Sequence, residues 1–268
     1  GDSVELLLGG ASFTTSLTKT LDATDITNNY VDFTVVDGEL CADGVKSLTA
    51  TLSDIAGNSS TTVALDITLD TTAPTGLLDL LAESDTGDPD VNPDANTDNV
   101  TSDTTPTIRV NLSDAEVGDS VELLLGGVSF TTPLTKTLDA TDISNTYVDF
   151  TVVDGELGAD GVKSLTASLG DLAGNSSTTA ALGITLDTAA PDSPVIAAFT
   201  DDTGASSTDG ITNDPSLVFS GTAEPGSAIA LTLVGTGVVS NTSANAGGTW
   251  GFSSSGVTVE EGEHTFTA

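Results

Sequence analysis

The ten residues GDSVELLLGG at positions 1–10 occur again, unchanged, at positions 118–127, an offset of 117 residues. Laid over residues 118–190, residues 1–73 differ at only 11 places, mild ones such as Ala11/Val128, Ser16/Pro133, Cys41/Gly158 and Asp66/Gly183. A period of this length is a whole domain rather than a solenoid turn. Asp70-Thr-Thr-Ala-Pro74 and Asp187-Thr-Ala-Ala-Pro191 share the offset, so each closes one unit and opens the next. Proline there stiffens the link and stops a strand from continuing. The expected organisation is the C-terminal part of one domain (1–73), a complete domain (74–190) and the N-terminal part of a diverged third (191–268).

Within 74–190 the local signals are those of strands. Short runs rich in Thr, Val, Ile and Leu are broken by Gly, Asp and Asn clusters. The pattern predicts strand A near 76–82, B near 106–113, C near 120–126, D and E within 128–153, F near 162–169 and G near 178–187. No segment carries convincing helical periodicity; the run at 77–83 is ambiguous and too short to decide otherwise. Seven strands in such a length is the arithmetic of an immunoglobulin-like (Ig-like) sandwich. The expected fold class is all-β, with tandem Ig-like β-sandwich domains in a linear rod. The disulfide-and-tryptophan core of antibody domains is missing: Cys41 is the sole cysteine, and the sole tryptophan, Trp250, lies in the third unit.

The 268 residues carry 40 Asp and Glu against 5 Lys and Arg, a net charge of −35. With 37% hydrophobic residues the chain has enough apolar material to fill cores, so its acidity is not a sign of disorder. Self-repulsion at this charge opposes the compact state unless cations bind. Nucleic acid and anionic membranes are poor partners for the same reason. No run of 18 apolar residues offers a membrane span. Calcium, a hard ion that takes oxygen ligands, is the expected counter-ion.

The acids concentrate in connections. The A–B connection holds Asp85, Asp88, Asp90, Asn92, Asp94, Asn96, Asp98 and Asp103, several spaced two apart. So long a loop in a compact domain needs an ordering agent, and alternating Asp/Asn oxygens around calcium would supply one. The glycine and closing glutamate of an EF-hand loop are absent. A solvated acidic loop is the plain alternative. The third unit keeps a shortened version with Asp201, Asp202, Asp209 and Asp214. The F–G turn reads Asp54-Ile-Ala-Gly-Asn58 and Asp171-Leu-Ala-Gly-Asn175, residue types that also suit a tight turn.

Alternating strand direction puts the B–C and F–G loops at one pole of a domain, and the A–B and E–F loops with the end of G at the other. Asp70 is therefore expected between Asp37, Glu39 and Asp43 of one unit and Asp114, Glu116, Asp171 and Asn175 of the next. Asp187 is expected to meet Asp85, Asp98, Asp103, Asp154, Glu156 and Asp160. Acids gathered from two domains and a linker repel without a metal, which makes both joints candidate calcium sites.

The motifs D-T-x-A-P at the joint and D-x-A-G-N in the F–G turn, with D-D-T-G, G-T-A-E-P-G-S, G-T-W and G-E-H-T-F-T-A in the third unit, resemble bacterial Ig-like repeats. Such repeats occur in giant, type I-secreted, RTX-type adhesins. The resemblance implies a stalk stiffened by calcium at its joints, on a bacterial surface, with neighbouring repeats of the same polypeptide, and other copies in a filament, as partners. The motifs cover the third unit most fully; the first two share only those of the joint and turn.

Three other functions compete with this reading. An enzyme is disfavoured: His264 is the sole histidine, Cys41 becomes Gly158 in its sister repeat, and no nucleophile-elbow or phosphate-loop motif occurs. A glycan- or ice-binding module would want exposed aromatics or a flat threonine array, and aromatics are only 4%. A self-assembling surface layer stays open, because a sandwich short of strands exposes edges. The end units are expected to be completed either by neighbouring residues of a longer polypeptide or by strands borrowed from adjacent chains.

Overall fold

A computed structural model describes residues 1–87, 94, 96–200, 202–203, 205–206, 209–214, 217–253 and 259–268. The first repeat forms β1 (Ser3–Leu8), β2 (Ala11–Thr20), α1 (Ala23–Asn28), β3 (Gly44–Ser53), β4 (Ser59–Thr61) and β5 (Leu65–Leu69). The middle repeat forms β6 (Thr75–Leu80), β7 (Val100–Thr101), β8 (Thr107–Ser113), β9 (Ser120–Leu125), β10 (Val128–Thr137), α2 (Ala140–Asn145), β11 (Tyr147–Thr151), β12 (Gly161–Gly170), β13 (Ser176–Thr178) and β14 (Leu182–Leu186). The third forms β15 (Val195–Phe199), β16 (Val218–Thr222), β17 (Ala228–Leu233), β18 (Gly237–Ser243), β19 (Thr249–Ser253) and β20 (Phe266–Thr267).

The strands of the middle repeat make two sheets, one in the order β10-β9-β12-β14-β7 with β13 on β12, the other β11-β8-β6. Period-two alternation supplies the core. Val121 and Leu123 of β9 are buried, and their partners across the ladder are Leu169 and Ala167 of β12, buried as well. Ile108 and Val110 of β8 are fully buried and register with Phe150 and Val148 of β11. The first repeat builds the matching sheet β2-β1-β3-β4, with β5 on β3. In the third, sheets β15-β16-β19 and β18-β17-β20 carry a core of Phe219, Ile229, Leu231, Ala244, Trp250 and Phe252. The all-β, Ig-like sandwich architecture is as the sequence predicts.

Two features differ from the sequence reading. A helix is present where none was expected, once in each near-identical repeat. Asp139 caps α2, accepting from the backbone N–H groups of Thr141 and Asp142 at 2.7 and 3.1 Å, while the Asp142 carboxylate accepts from the Asp139 N–H at 2.9 Å. The reciprocal box satisfies orphan donors of the first turn, so it sustains six residues that have no amphipathic period. The second feature is β7, which pairs parallel with β14, Val100 opposite Thr185 and Thr101 opposite Leu186.

By packing, the chain divides into two compact units. One comprises Gly1–Leu81, Thr105–Leu157 and Lys163–Ile184; the other comprises Ala82–Thr104, Gly158–Val162 and Thr185–Ala268. The repeat boundaries near 74 and 191 mark what was duplicated, whereas the compact units mark what packs, and the two partitions do not coincide.

Candidate cation sites in the acidic loops

Asp85 follows β6 and is 1% exposed. One carboxylate oxygen accepts from the Asn99 N–H at 3.1 Å; the other is buried and meets no donor among the described residues. Burial, and then the neighbouring charge of Asp98, push its pKa up. Around it Val100 N–H donates to Asp98 Oδ1 at 3.0 Å, the Thr86 and Thr101 hydroxyls lie 3.4 Å apart, and Asp103 N–H donates to Thr101 Oγ1 at 2.9 Å. Asn99 turns the chain with φ 59°, a left-handed conformation that asparagine tolerates.

The third repeat builds the same arrangement 117 residues on from Asp85. Asp202 accepts from the Gly210 N–H at 3.2 Å with one oxygen, and its other oxygen is again buried without a donor among the described residues. Ile211 N–H donates to Asp209 Oδ1 at 3.1 Å, the Thr203 and Thr212 hydroxyls lie 3.1 Å apart, and Asp214 N–H donates to Thr212 Oγ1 at 3.0 Å. Gly210, at φ 75°, stands where Asn99 stands. The shared pattern is Asp-Thr-Gly, then Asp followed by a left-handed residue, an aliphatic one and Thr. A buried carboxylate oxygen without a donor costs free energy unless a proton or a cation meets it. This donor set therefore fits a hard cation.

The joint residues are held differently. Asn175 donates to the backbone carbonyl of Asp70 at 3.1 Å and to Asp171 Oδ2 at 2.7 Å. Asp171 Oδ1 accepts from the N–H groups of Gly174 and Asn175 at 2.7 and 2.8 Å. Burial pushes the Asp171 pKa up, but the hydrogen bonds from Asn175 and Gly174 outweigh it and hold the carboxyl below its ordinary value. Asp54 and Asn58 repeat the turn, with the Asn58 side-chain amide first among the causes that lower the Asp54 pKa. Asp43 accepts from the hydroxyls of Thr71 and Thr72, each at 2.8 Å, and its pKa is lowered by hydrogen bonding to Thr71 before all else.

At the other end of the repeat the Thr188 hydroxyl donates to Asp160, Asp187 Oδ1 accepts from the Ala189 N–H at 3.1 Å, and Asp187 N–H donates to the Thr101 carbonyl. Asp114 accepts from its neighbour Ser113, and the Glu116 N–H donates to Asp119 Oδ2 at 2.8 Å. Asp37 and Asp154 are exposed. The Asp94 carbonyl accepts from the Thr97 N–H at 2.8 Å. Asp88, Asp90 and Asp201 lie outside the described residues. Among the described residues no three Asp, Glu, His or Cys side chains gather into a group that could hold a metal ion. The joint acids of the sequence reading are thus met mainly by amide and hydroxyl donors rather than by one another.

Sequence reasoning missed three buried acids, Asp25, Asp119 and Asp142. Lys19 and Lys136 reach the first and last at 2.5 Å each. For Asp25 and Asp142 the signal was legible: an aspartate three residues earlier, the capping-box spacing.

A chain of tandem Ig-like sandwiches joined through short polar linkers is the class that this fold defines. The sequence profile of the bacterial Ig-like domain matches residues 72–188 and 190–268. The chain therefore belongs to the bacterial Ig-like domain family. No curated protein matches it. Among solved structures it is similar to a tetra-tandem repeat from the extending region of a large adhesion protein, at 20% identity and TM-score 0.32 over 94% of this chain and 57% of that one. It is similar also to a 1.5-MDa bacterial ice-binding adhesin, studied for host cell surface retention, at 19% identity and TM-score 0.37 over 94% and 74%. A third is a Ca2+-stabilized adhesin with which an Antarctic bacterium binds ice, at 23% identity and TM-score 0.37 over 100% and 63%. The chain thus spans less than two thirds of the length of the first and third of these structures.

Proposed function

We propose that this chain is a calcium-stiffened extender segment of a large bacterial cell-surface adhesin, which holds an adhesive end away from the cell and so supports adhesion and biofilm growth. Three properties support the reading: membership of the bacterial Ig-like family, duplication of 73 residues with 11 changes, and a net charge of −35. The observation that carries it is the paired loop. Asp85 and Asp202 each bury one oxygen without a donor among the described residues, at equivalent places in repeats that otherwise share little sequence.

Asp85 with Asp98, and Asp202 with Asp209, are the residues that would hold calcium. Carbonyl, amide and water oxygens would fill the remaining positions of a six- to eight-oxygen shell. The ion supplies no chemistry here beyond charge neutralisation. It would order the long A–B connection and cancel the cost of the buried carboxylates, so that successive repeats behave as stiff spacers. The partners in this reading are the neighbouring repeats of the same polypeptide, and the location is extracellular.

A calorimetric melt in calcium, in magnesium and in EDTA tests it. At calcium ten to a hundred times the Kd, each site should add about 1.4–2.7 kcal/mol. Superimposable calcium and EDTA melts would refute the proposal.

A further inference from the structure

The linker that begins at Asp70 is bonded to the repeats on both sides of it. Asp70 Oδ1 accepts from the Thr72 N–H at 3.1 Å, a tight turn inside the linker. Behind it, the Thr71 and Thr72 hydroxyls donate to the two oxygens of Asp43, each at 2.8 Å. Ahead of it, the Asn175 amide donates to the Asp70 carbonyl at 3.1 Å, and the Ser177 hydroxyl donates to the carbonyl of buried Pro74. All of these residues fall in one compact unit.

The linker 117 residues on repeats the rear half of this arrangement. Asp187 Oδ1 accepts from the Ala189 N–H at 3.1 Å, and the Thr188 hydroxyl donates to Asp160 Oδ1 at 2.9 Å. The A–B connection is present beside this joint, where the Thr101 carbonyl accepts from the Asp187 N–H at 2.9 Å, and the threonine still grips its aspartate. Ala189 stands where Thr72 stands and has no hydroxyl to give.

Donors from the protein meet the carboxylates at the first joint. Asp43 has a hydroxyl on each oxygen. Asp171, which orients Asn175, has the Asn175 amide on one oxygen and the N–H groups of Gly174 and Asn175 on the other. A carboxylate held by two or three donors stays ionised with no ion beside it.

We propose that the D-T-x-A-P linker is a latch that fixes the joint without a metal ion. Its own threonine hydroxyls close it onto the preceding repeat, and Asn175 and Ser177 close it onto the following one. Calcium in the A–B connection and the bonds at the joint are then separate devices, one acting inside a repeat and the other between repeats.

The test uses the full 268-residue chain with Cys41→Gly, spin-labelled at Val63→Cys and Val128→Cys, exposed positions on the two sides of the joint. Pulsed dipolar spectroscopy in EDTA should give one narrow distance distribution, and calcium should leave its width unchanged. Thr71→Val with Thr72→Val, and separately Ser177→Ala, should raise the broad, unlatched fraction roughly tenfold. Thr71→Ser with Thr72→Ser keeps both hydroxyls and should restore the narrow distribution. Thr72→Ala, which copies the second joint, should fall between parent and double valine variant. A distribution that is broad in EDTA and narrows only in calcium would overturn the latch while agreeing with the calcium reading. One that stays narrow through the valine and alanine changes would overturn it as well.

Discussion

The side-chain amide of Asn175 bridges the Asp171 carboxylate, 2.7 Å away, and the backbone carbonyl of Asp70, 3.1 Å away. Asn58, in the same turn of the first repeat, is exposed, and its side-chain amide donates to Asp54 Oδ2 at 2.7 Å. Asn175→Ala should therefore cost about 1–2 kcal/mol in the middle repeat and increase protease cutting near 70–74, while Asn58→Ala costs less. Urea titration with limited proteolysis checks this, and equal costs for the two changes would argue against the bridge.

The raised pKa of Asp85 makes a signed prediction. With its folded value above the unfolded one, ionisation of this group opposes folding. Its contribution is whole below the unfolded pKa and is lost as pH rises through the folded value. In EDTA, Asp85→Asn should thus melt above the parent at pH 7, and the gap should close toward pH 4. In calcium the order should reverse, because the variant gives up a ligand charge. The measurement is a grid of melting temperatures across pH with and without calcium; a variant that melts below its parent in EDTA at pH 7 would sink the argument.

Leu52 and Leu169 are the same residue of two near-identical repeats, 41% and 1% exposed. Leu169→Ala should cost about 2–5 kcal/mol, because it leaves a cavity in a closed core. Leu52→Ala should cost under about 1 kcal/mol, since its side chain is only half removed from water. Chemical denaturation resolved by repeat compares them.

Cys41 has φ 61°, where the sister repeat has Gly158 at φ 72°. A side chain in the left-handed region is strained, so Cys41→Gly should stabilise the first repeat by up to about 1 kcal/mol. Its thiol is exposed and free. A fall in stability, or the loss of a disulfide-linked dimer needed for assembly, would show that the thiol has a role.

Gly221 of β16 lies under Trp250: a methyl group there would stand 1.8 Å from the Val195 carbonyl and 2.4 Å from the indole. Gly221→Ala should abolish cooperative melting of the third repeat and leave the middle repeat's transition in place. Retention of both transitions would contradict the packing.

The legible part of the fold was what depends on neighbours in sequence. The strands expected near 120–126 and 162–169 are β9 and β12, and Val121, Leu123, Leu165, Ala167 and Leu169 share their buried face because side chains on a strand alternate sides. The short helix went unread because its stability comes from the reciprocal bonds of Asp139 and Asp142 and not from a periodic apolar face. In the acidic loops the sequence named many carboxylates but could not rank them. Asp85 and Asp98 look alike on paper, yet one is buried with an oxygen unmet and the other is exposed.

By itself the sequence determined the repeat of 117 residues, the all-β class and the loops that hold the acids, all of which follow from pattern and composition. What only the tertiary structure decided is clearest in one pentapeptide. Tyr-Val-Asp-Phe-Thr is a strand at 147–151 and is not one at 30–34. The local preferences are the same in both places. The difference is β8, which gives residues 147–151 a hydrogen-bonding edge and buries Val148 and Phe150. A strand exists when a partner satisfies its backbone groups and covers its apolar face, and the pentapeptide itself does not carry that information.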